Sequence, residues 1–379
     1  MIKSFKQSCR IENTLWAKKT RGSLLFSCLC LFLLANVAGC QQAPQETSAK
    51  APKNRFTLRE PRWSFDNNKI IFRRTISEPG KTNRIENLIY EISTHKLYEN
   101  DKSSYYPAYS PDGKIFLSAS ASKIGECMNI SVRNADGSNK RLLTNNPKNT
   151  VMEKNGDVLV NNDFEPSFSP DGKRVIFKRS AVIRERSMGG RKASNWDVYE
   201  VDLKAGAERR LTNYKFYELS QPYYLADGEH FIFSGTGPKN DTGVGPKDFK
   251  EYGKMYQENQ IFIMDGKNNL LKPAFTNGWY STKPQASRNN IIVFLSVTNT
   301  MDRLQQSRFN YDLFTYREGK IKRLTRMQSY ISEPSISADG SRVVFLADEK
   351  RNRDWSMWVI NTDGTGLRKL ELPFDESKG

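Results

Sequence analysis

One motif returns six times along this 379-residue chain. It is a proline, a short alternating aromatic or apolar stretch, a turn built on Asp-Gly, and an apolar strand. The copies run Glu60-Pro61-Arg62-Trp63-Ser64-Phe65-Asp66 into Ile70-Ile71-Phe72, and Pro107-Ala108-Tyr109-Ser110-Pro111-Asp112-Gly113-Lys114 into Ile115-Phe116-Leu117. Then come Glu165-Pro166-Ser167-Phe168-Ser169-Pro170-Asp171-Gly172-Lys173 into Val175-Ile176-Phe177, and Pro222-Tyr223-Tyr224-Leu225-Ala226-Asp227-Gly228 into Phe231-Ile232-Phe233. The fifth, Pro284-Gln285-Ala286-Ser287-Arg288-Asn289-Asn290 into Ile291-Ile292-Val293-Phe294, has lost Asp-Gly. The sixth is Glu333-Pro334-Ser335-Ile336-Ser337-Ala338-Asp339-Gly340 into Val343-Val344-Phe345. The prolines recur about every 55 residues, the long end of propeller-blade repeats.

Each copy has the chemistry of a β-hairpin. Pro presets φ at a strand start, where no ladder donor is lost. In Ser-Pro-Asp-Gly, Pro fixes the first corner, Asp bonds back to the backbone and Gly takes positive φ. A second hairpin follows in each period: Asn129–Asn134 returning through Arg141–Thr144, Asp197–Asp202 through Arg209–Thr212, and Trp358–Asn361 through Leu367–Leu370. Two hairpins give four antiparallel strands, which is one propeller blade. The chain is therefore expected to be all-β: a six-bladed β-propeller over residues 56–372, with four antiparallel strands per blade and a short tail at 373–379.

The repeat resembles the TolB-type, WD40-like propeller repeat, most closely at Ser169-Pro170-Asp171-Gly172-Lys173 and least in blade five. The resemblance implies a TolB-like propeller without the α/β domain that precedes the propeller in TolB, and a role in binding rather than catalysis.

The start of the chain points to export. Lys3, Lys6, Arg10, Lys18, Lys19 and Arg21 precede an apolar run from Leu24 to Ala35. That pattern reads as a secretory signal over residues 1–39, and the run is short for a membrane span. Val37-Ala38-Gly39-Cys40 resembles a bacterial lipobox, which implies lipidation of Cys40 with fatty acid such as palmitate. Residues 40–55, rich in Gln, Pro, Ala and Lys, read as a flexible tether. By resemblance to Gram-negative sorting rules, Gln41 after the cysteine implies the outer membrane, facing the periplasm. Cys127 alone of five cysteines remains in the propeller, so no disulfide framework is expected; it reads as a small buried hydrophobe.

Strand parity divides the propeller's two faces. The a–b and c–d turns lie on one face and are short. The b–c loops and blade-to-blade connections lie on the other and vary widely, the place where loops usually carry function. Aromatics precede the repeat prolines there: Tyr105 and Tyr106, Phe164, Phe216 and Tyr217, Trp279 and Tyr280, and Tyr330. They could ring the channel as a recognition platform or pack between blades. The blade-three loop adds Arg184, Arg186, Arg191 and Lys192. The partner-binding candidates are thus Arg184, Arg186, Arg191, Lys192, Tyr106, Tyr217, Trp279, Tyr280 and Tyr330.

The formal net charge is +17. In an exported protein this favours an envelope protein or anionic envelope polymer over nucleic acid, with the membrane reached through the lipid anchor and the propeller monomeric. Catalytic parts are scarce. Only His95 and His230 could serve as histidine bases or ligands, short of the three or four ligands of a common zinc site. No Gly-x-Ser-x-Gly elbow appears. No cofactor, metal or catalytic residue is assigned. Some oligogalacturonate lyases share this repeat but use a histidine-rich metal site. The alternative is a carbohydrate-active lyase or hydrolase using carboxylates at the channel mouth.

Overall fold

The structure is a computed structural model that describes residues 55–102, 104–121, 127–146, 158–184, 195–238, 259–275, 280–297, 311–327, 329–350 and 354–374. Twenty-four strands form six antiparallel blades of four. Blade one is β1 (Arg55–Trp63), β2 (Lys69–Ser77), β3 (Arg84–Glu91) and β4 (Lys96–Lys102), paired in that order. Blade two is β5 (Tyr105–Tyr109), β6 (Ile115–Ser120), β7 (Asn129–Asn134) and β8 (Arg141–Leu142). Blade three is β9 (Val158–Phe168), β10 (Arg174–Arg184), β11 (Asn195–Asp202) and β12 (Glu208–Arg210). Blade four is β13 (Phe216–Tyr224), β14 (His230–Pro238), β15 (Gln260–Asp265) and β16 (Leu270–Pro273); it joins blade three through one β11–β13 pair, Trp196 with Phe216. Blades five and six are β17 (Ser281–Ala286), β18 (Ile292–Val297), β19 (Tyr311–Arg317) and β20 (Lys320–Arg323), then β21 (Tyr330–Ile336), β22 (Arg342–Asp348), β23 (Ser356–Asn361) and β24 (Arg368–Lys369).

The a–b turns follow the sequence reading closely. Gly113, Gly172, Gly228 and Gly340 take positive φ, and Asn67 and Asn290 adopt it where glycine is missing. Asn tolerates that region better than most residues. The turn aspartate accepts the backbone N–H two residues on, as Asp112 does from Lys114 at 3.1 Å and Asp171 from Lys173 at 3.0 Å. The preceding serine hydroxyl donates to the same carboxylate, 2.6 Å for Ser110 and Asp112. Cys127 is buried, as expected of a small hydrophobe.

The prolines differ from expectation. They sit inside the innermost strands, not at their starts, directly after a β-bulge. In blade one, Glu60 and Pro61 together oppose the single residue Phe72, and the same two-against-one register recurs in every blade. The opposing residues are Phe72, Phe177, Phe233, Phe294 and Phe345, all buried, with Ser118 in blade two. A bulge leaves one residue unpaired and bends its strand. Here the unpaired residue is the one before proline, and all six such residues have positive φ: Glu60, Tyr106, Glu165, Gln221, Lys283 and Glu333. Proline disfavours the α region before it, so the geometry is held by the surrounding ladder.

Among the described residues every blade is built from one contiguous stretch and no strand is exchanged to close the ring. Side chains close it instead. Blades one and six share a core containing Leu58, Trp63, Ile70, Phe72, Val344, Leu346 and Val359. Ala338 N–H donates to Asn67 Oδ1 at 2.8 Å, Arg342 donates to Asn67 O at 2.8 Å, and the Arg342 guanidinium lies over the Trp63 ring. Phe374, expected in the tail, packs edge-on against Phe56 with centroids 5.1 Å apart and lies under Arg74.

Candidate functional site

The six positive-φ residues meet on the channel axis. Glu60, Tyr106, Glu165, Gln221, Lys283 and Glu333 surround a space of about 40 Å³, room for a few waters. Carboxylates pass around this ring from blade to blade. The Tyr106 N–H donates to Glu60 Oε2 at 2.6 Å, the Gln221 N–H donates to Glu165 Oε2 at 2.6 Å, and the Glu60 N–H donates to Glu333 across the closing seam. Each carboxylate also has a cation. Arg73 forks onto Glu60 at 2.9 and 3.2 Å, Lys178 lies 3.0 Å from Glu165, and Glu333 lies 3.7 Å from Arg59 and 3.8 Å from Lys283.

These environments differ in sign. Burial pushes the Glu60 carboxyl up; Arg73 opposes this, Glu333 adds to it, and the net shift is upward. Burial pushes Glu165 up as well, but Lys178, the Gln221 N–H and Lys283 together hold it below the usual carboxylate range. Burial raises the Tyr106 hydroxyl far above ordinary phenols, with Glu165 and Glu60 adding to it.

On the turn side of this ring the channel widens into a funnel of about 500 Å³, within the usual range for ligand pockets. Its lower wall comes from the residue after each proline: Arg62, Ala108, Ser167, Tyr223, Gln285 and Ser335. Its rim comes from the turns, where Phe65, Pro111, Pro170, Ala226, Arg288 and Ala338 occupy equivalent places. Arg288 arches from blade five to blade one, its guanidinium 3.2 Å from the Phe65 ring centroid. Burial raises the Tyr223 hydroxyl, and Arg62 and Arg288 oppose that rise, so both cations act on the same wall. Arg62 and Arg288 form no ion pair with a described residue. The Ser167 hydroxyl and the Gln285 amide nitrogen are buried and have no hydrogen-bond partner among the described residues.

The expected aromatic ring is only partly formed. Tyr106 reaches the axis and packs edge-on against Phe164, which in turn faces Trp196. Phe216 is wholly buried in the shared core of blades three and four. Tyr280 packs on Tyr311 at 6.2 Å and accepts a hydrogen bond from Asn259 at 3.1 Å. Tyr330 is half-buried at the start of β21. Tyr217 and Arg184 lie in strands, and their side chains are outside the description. Cys40, Arg186, Arg191, Lys192 and Trp279 lie outside the described residues.

The two histidines stand apart. His95 is exposed beside Tyr90, 2.8 Å from its hydroxyl. His230 has carboxylates nearby: Asp227 at 2.7 Å and Asp265 at 3.9 Å. They lie at the turn between β13 and β14 and the end of β15, away from the axis. The ring glutamates and the funnel were missed by sequence reasoning. The available signal was Glu-Pro, written three times in six repeats.

These features define a six-bladed β-propeller with a closed waist and a funnel on its turn face. In fold it is TolB-like. It resembles TolB from Acinetobacter baumannii with a TM-score of 0.55 at 20% identity, over 81% of this chain and 64% of that one. The chain thus spans less than two thirds of that TolB's length. It also resembles an oligogalacturonate lyase in complex with manganese, with a TM-score of 0.51 at 13% identity, over 84% of this chain and 78% of that one. A puromycin-hydrolyzing peptidase of Mycobacterium tuberculosis aligns at 0.49 and 14% identity, over 84% of this chain and 47% of that one. At these identities the likeness is one of fold alone. No protein-family model matches the chain, and no curated protein matches it in sequence.

Proposed function

We propose that this protein is a lipid-anchored envelope propeller that binds a partner, and that the partner seats in the turn-face funnel. The observation that carries this reading is the funnel's lining. Aromatic and apolar side chains form most of it, with two guanidiniums that no described carboxylate neutralises. Such a surface suits recognition of an acidic or acceptor-rich segment. The fold shared with TolB agrees with a binding role without requiring one. Sequence parity favoured the opposite face, whose long loops lie outside the described residues; the enclosed cavity favours this one.

The enzyme alternative would draw on the ring carboxylates. Those groups enclose about 40 Å³, and each already holds a cation and a backbone N–H. A sugar ring could not reach them without opening the waist.

A photo-crosslinking residue at Ala108, on the funnel wall, tests the reading in intact cells. Discrete adducts from Ala108, and none from Lys96 on the exposed outer edge, are expected. Absence of adducts from the wall would overturn it, as would release of reducing ends from oligouronides by the purified protein.

A further inference from the structure

We infer that the funnel is a receptor for the C-terminal carboxylate of a polypeptide, with Arg62, Ser167 and Gln285 as the donors that hold it. The inference deepens the binding reading above and rests on it for the location only.

The shape comes first. The funnel ends at the ring, where the passage narrows to about 40 Å³. An extended chain therefore cannot thread the channel, and a polymer lying across the rim would leave the bottom unfilled. A ligand that fills a dead-end funnel enters by its end or by a single side chain.

The chemistry at the bottom of the funnel is rich in donors, with the unpartnered Gln221 Oε1 lying in the ring space below. Arg62 lines both the funnel and the ring space, so it stands at the junction of the two. Ser167 and Gln285 flank it from blades three and five at the same register, one residue after proline. They are 7% and 1% exposed, yet the hydroxyl of one and the amide nitrogen of the other lack a partner among the described residues. A buried polar group left unsatisfied costs free energy, so two at one level of one cavity point to a ligand that satisfies them. All three can donate, which suits a carboxylate. The carboxylates beneath do not cancel this field, because Arg73, Lys178 and Lys283 face them. Asp112 is the acid in the funnel lining, and it sits at the rim, exposed and bonded to its own turn.

The middle of the funnel fits the rest of a peptide. Tyr109, Phe168, Tyr223, Leu225 and Ile336 offer apolar walls for the last side chains. At the rim, the Arg288–Phe65 pair arches over one edge of the mouth, where it can close on an incoming backbone carbonyl. Capture of a terminal carboxylate by preformed donors is a recurrent mode of peptide recognition.

The test uses the full chain purified in neutral detergent, with two random tetrapeptide libraries of equal composition. One carries free C-terminal carboxylates and the other C-terminal amides. Ligand-observed NMR should show the acid library retained at least about tenfold better, the worth of a charge-assisted hydrogen bond. Arg62→Gln should abolish that preference and Arg62→Lys restore part of it. If Arg62→Gln does not fold, Ser167→Ala and Gln285→Leu carry the same test. Equal retention of both libraries, with loss of both on Phe65→Ala, overturns the carboxylate receptor but leaves a binding funnel. Retention of amidated peptides only where they contain Asp or Glu, or preference for trigalacturonate, also overturns it. Retention of neither library, together with no adducts from Ala108, overturns both readings.

Discussion

Glu165 and Glu60 occupy equivalent places in the ring, yet their replacement by glutamine should have unequal and oppositely pH-dependent effects. Glu165→Gln keeps the shape and one oxygen for the Gln221 N–H. What it removes is the charge 3.0 Å from Lys178. Breaking a buried pair from one side costs about 3–5 kcal/mol. Lys178 keeps the Leu219 carbonyl at 3.1 Å and the face of Trp196, so the low end, about 3 kcal/mol, is expected. At roughly 2 °C per kcal/mol for a large domain, that lowers the melting temperature by about 6 °C.

The sign of the pH dependence follows from linkage. Glu165 is held below its ordinary value of 4.5. Its charged form stabilises the fold above that value and loses this effect as pH falls through the folded-state pKa. The Glu165→Gln deficit should therefore shrink with acidification. Glu60 is shifted upward from 4.5, so ionising it costs stability as pH rises through its folded-state pKa. The Glu60→Gln deficit should be smaller than that of Glu165→Gln near neutrality and should grow on acidification. Urea midpoints followed by tryptophan fluorescence across pH 3 to 8 measure both. A Glu165→Gln protein within about 0.5 kcal/mol of wild type, or pH trends of the same sign for both variants, would refute the reasoning.

Gly172→Val should cost roughly 1–2 kcal/mol, because φ there is +71° and a β-branched residue is strained in that region; thermal melts decide it. Phe374→Ala should lower stability by about 2 kcal/mol, less than the 3–5 of a fully buried phenylalanine, since its ring packs on Phe56 and Phe72 at the closing blade. Cys40→Ser should move the protein from the membrane to the soluble fraction with an unchanged melting temperature. Exchanging Arg184, Arg186, Arg191 and Lys192 for glutamine should leave melting within about 1 °C. It should also weaken capture of an anionic partner less than Arg62→Gln does, because the funnel lies on the opposite, turn face, and any effect should fade at high salt.

The blade count and turn chemistry were legible because local chemistry dictates them. Asp-Gly and Asn-Asn both supply positive φ, so even the degenerate fifth turn at Asn289-Asn290 could be read. The bulge was not legible. Proline in a strand sequence reads as a strand start, since it lacks a ladder donor. Only three-dimensional pairing reveals that Glu60 and Pro61 together oppose Phe72. Without the bulge, alternation assigns the wrong facing to the residue before proline, and Glu60, Glu165 and Glu333 pass as surface charge. The aromatics split for a related reason. Tyr106 occupies the bulge and turns to the axis, whereas Phe216 lies on a regular ladder position and turns to the core, and Phe164, also on the ladder, packs between Tyr106 and Trp196.

The six repeats separate two kinds of position. Opposite the bulge, five blades carry a buried phenylalanine, and each a–b turn carries a residue able to take positive φ. These positions answer to the backbone: they fix where the strand bends and where the next begins. At the bulge itself the backbone angle is constant, with φ between 49° and 57°, while the side chains are Glu, Tyr, Glu, Gln, Lys and Glu. One residue after proline they are Arg, Ala, Ser, Tyr, Gln and Ser. Sixfold symmetry gives these twelve positions the same local frame, so packing alone offers no reason for blade one to need arginine where blade six needs serine. The asymmetry must be set by contacts between blades or by something that enters the funnel. Ser335 answers to a neighbouring blade, accepting the Trp63 N–H at 3.3 Å. The Ser167 hydroxyl and the Gln285 amide nitrogen have no such partner among the described residues, which is the pattern the proposed ligand requires.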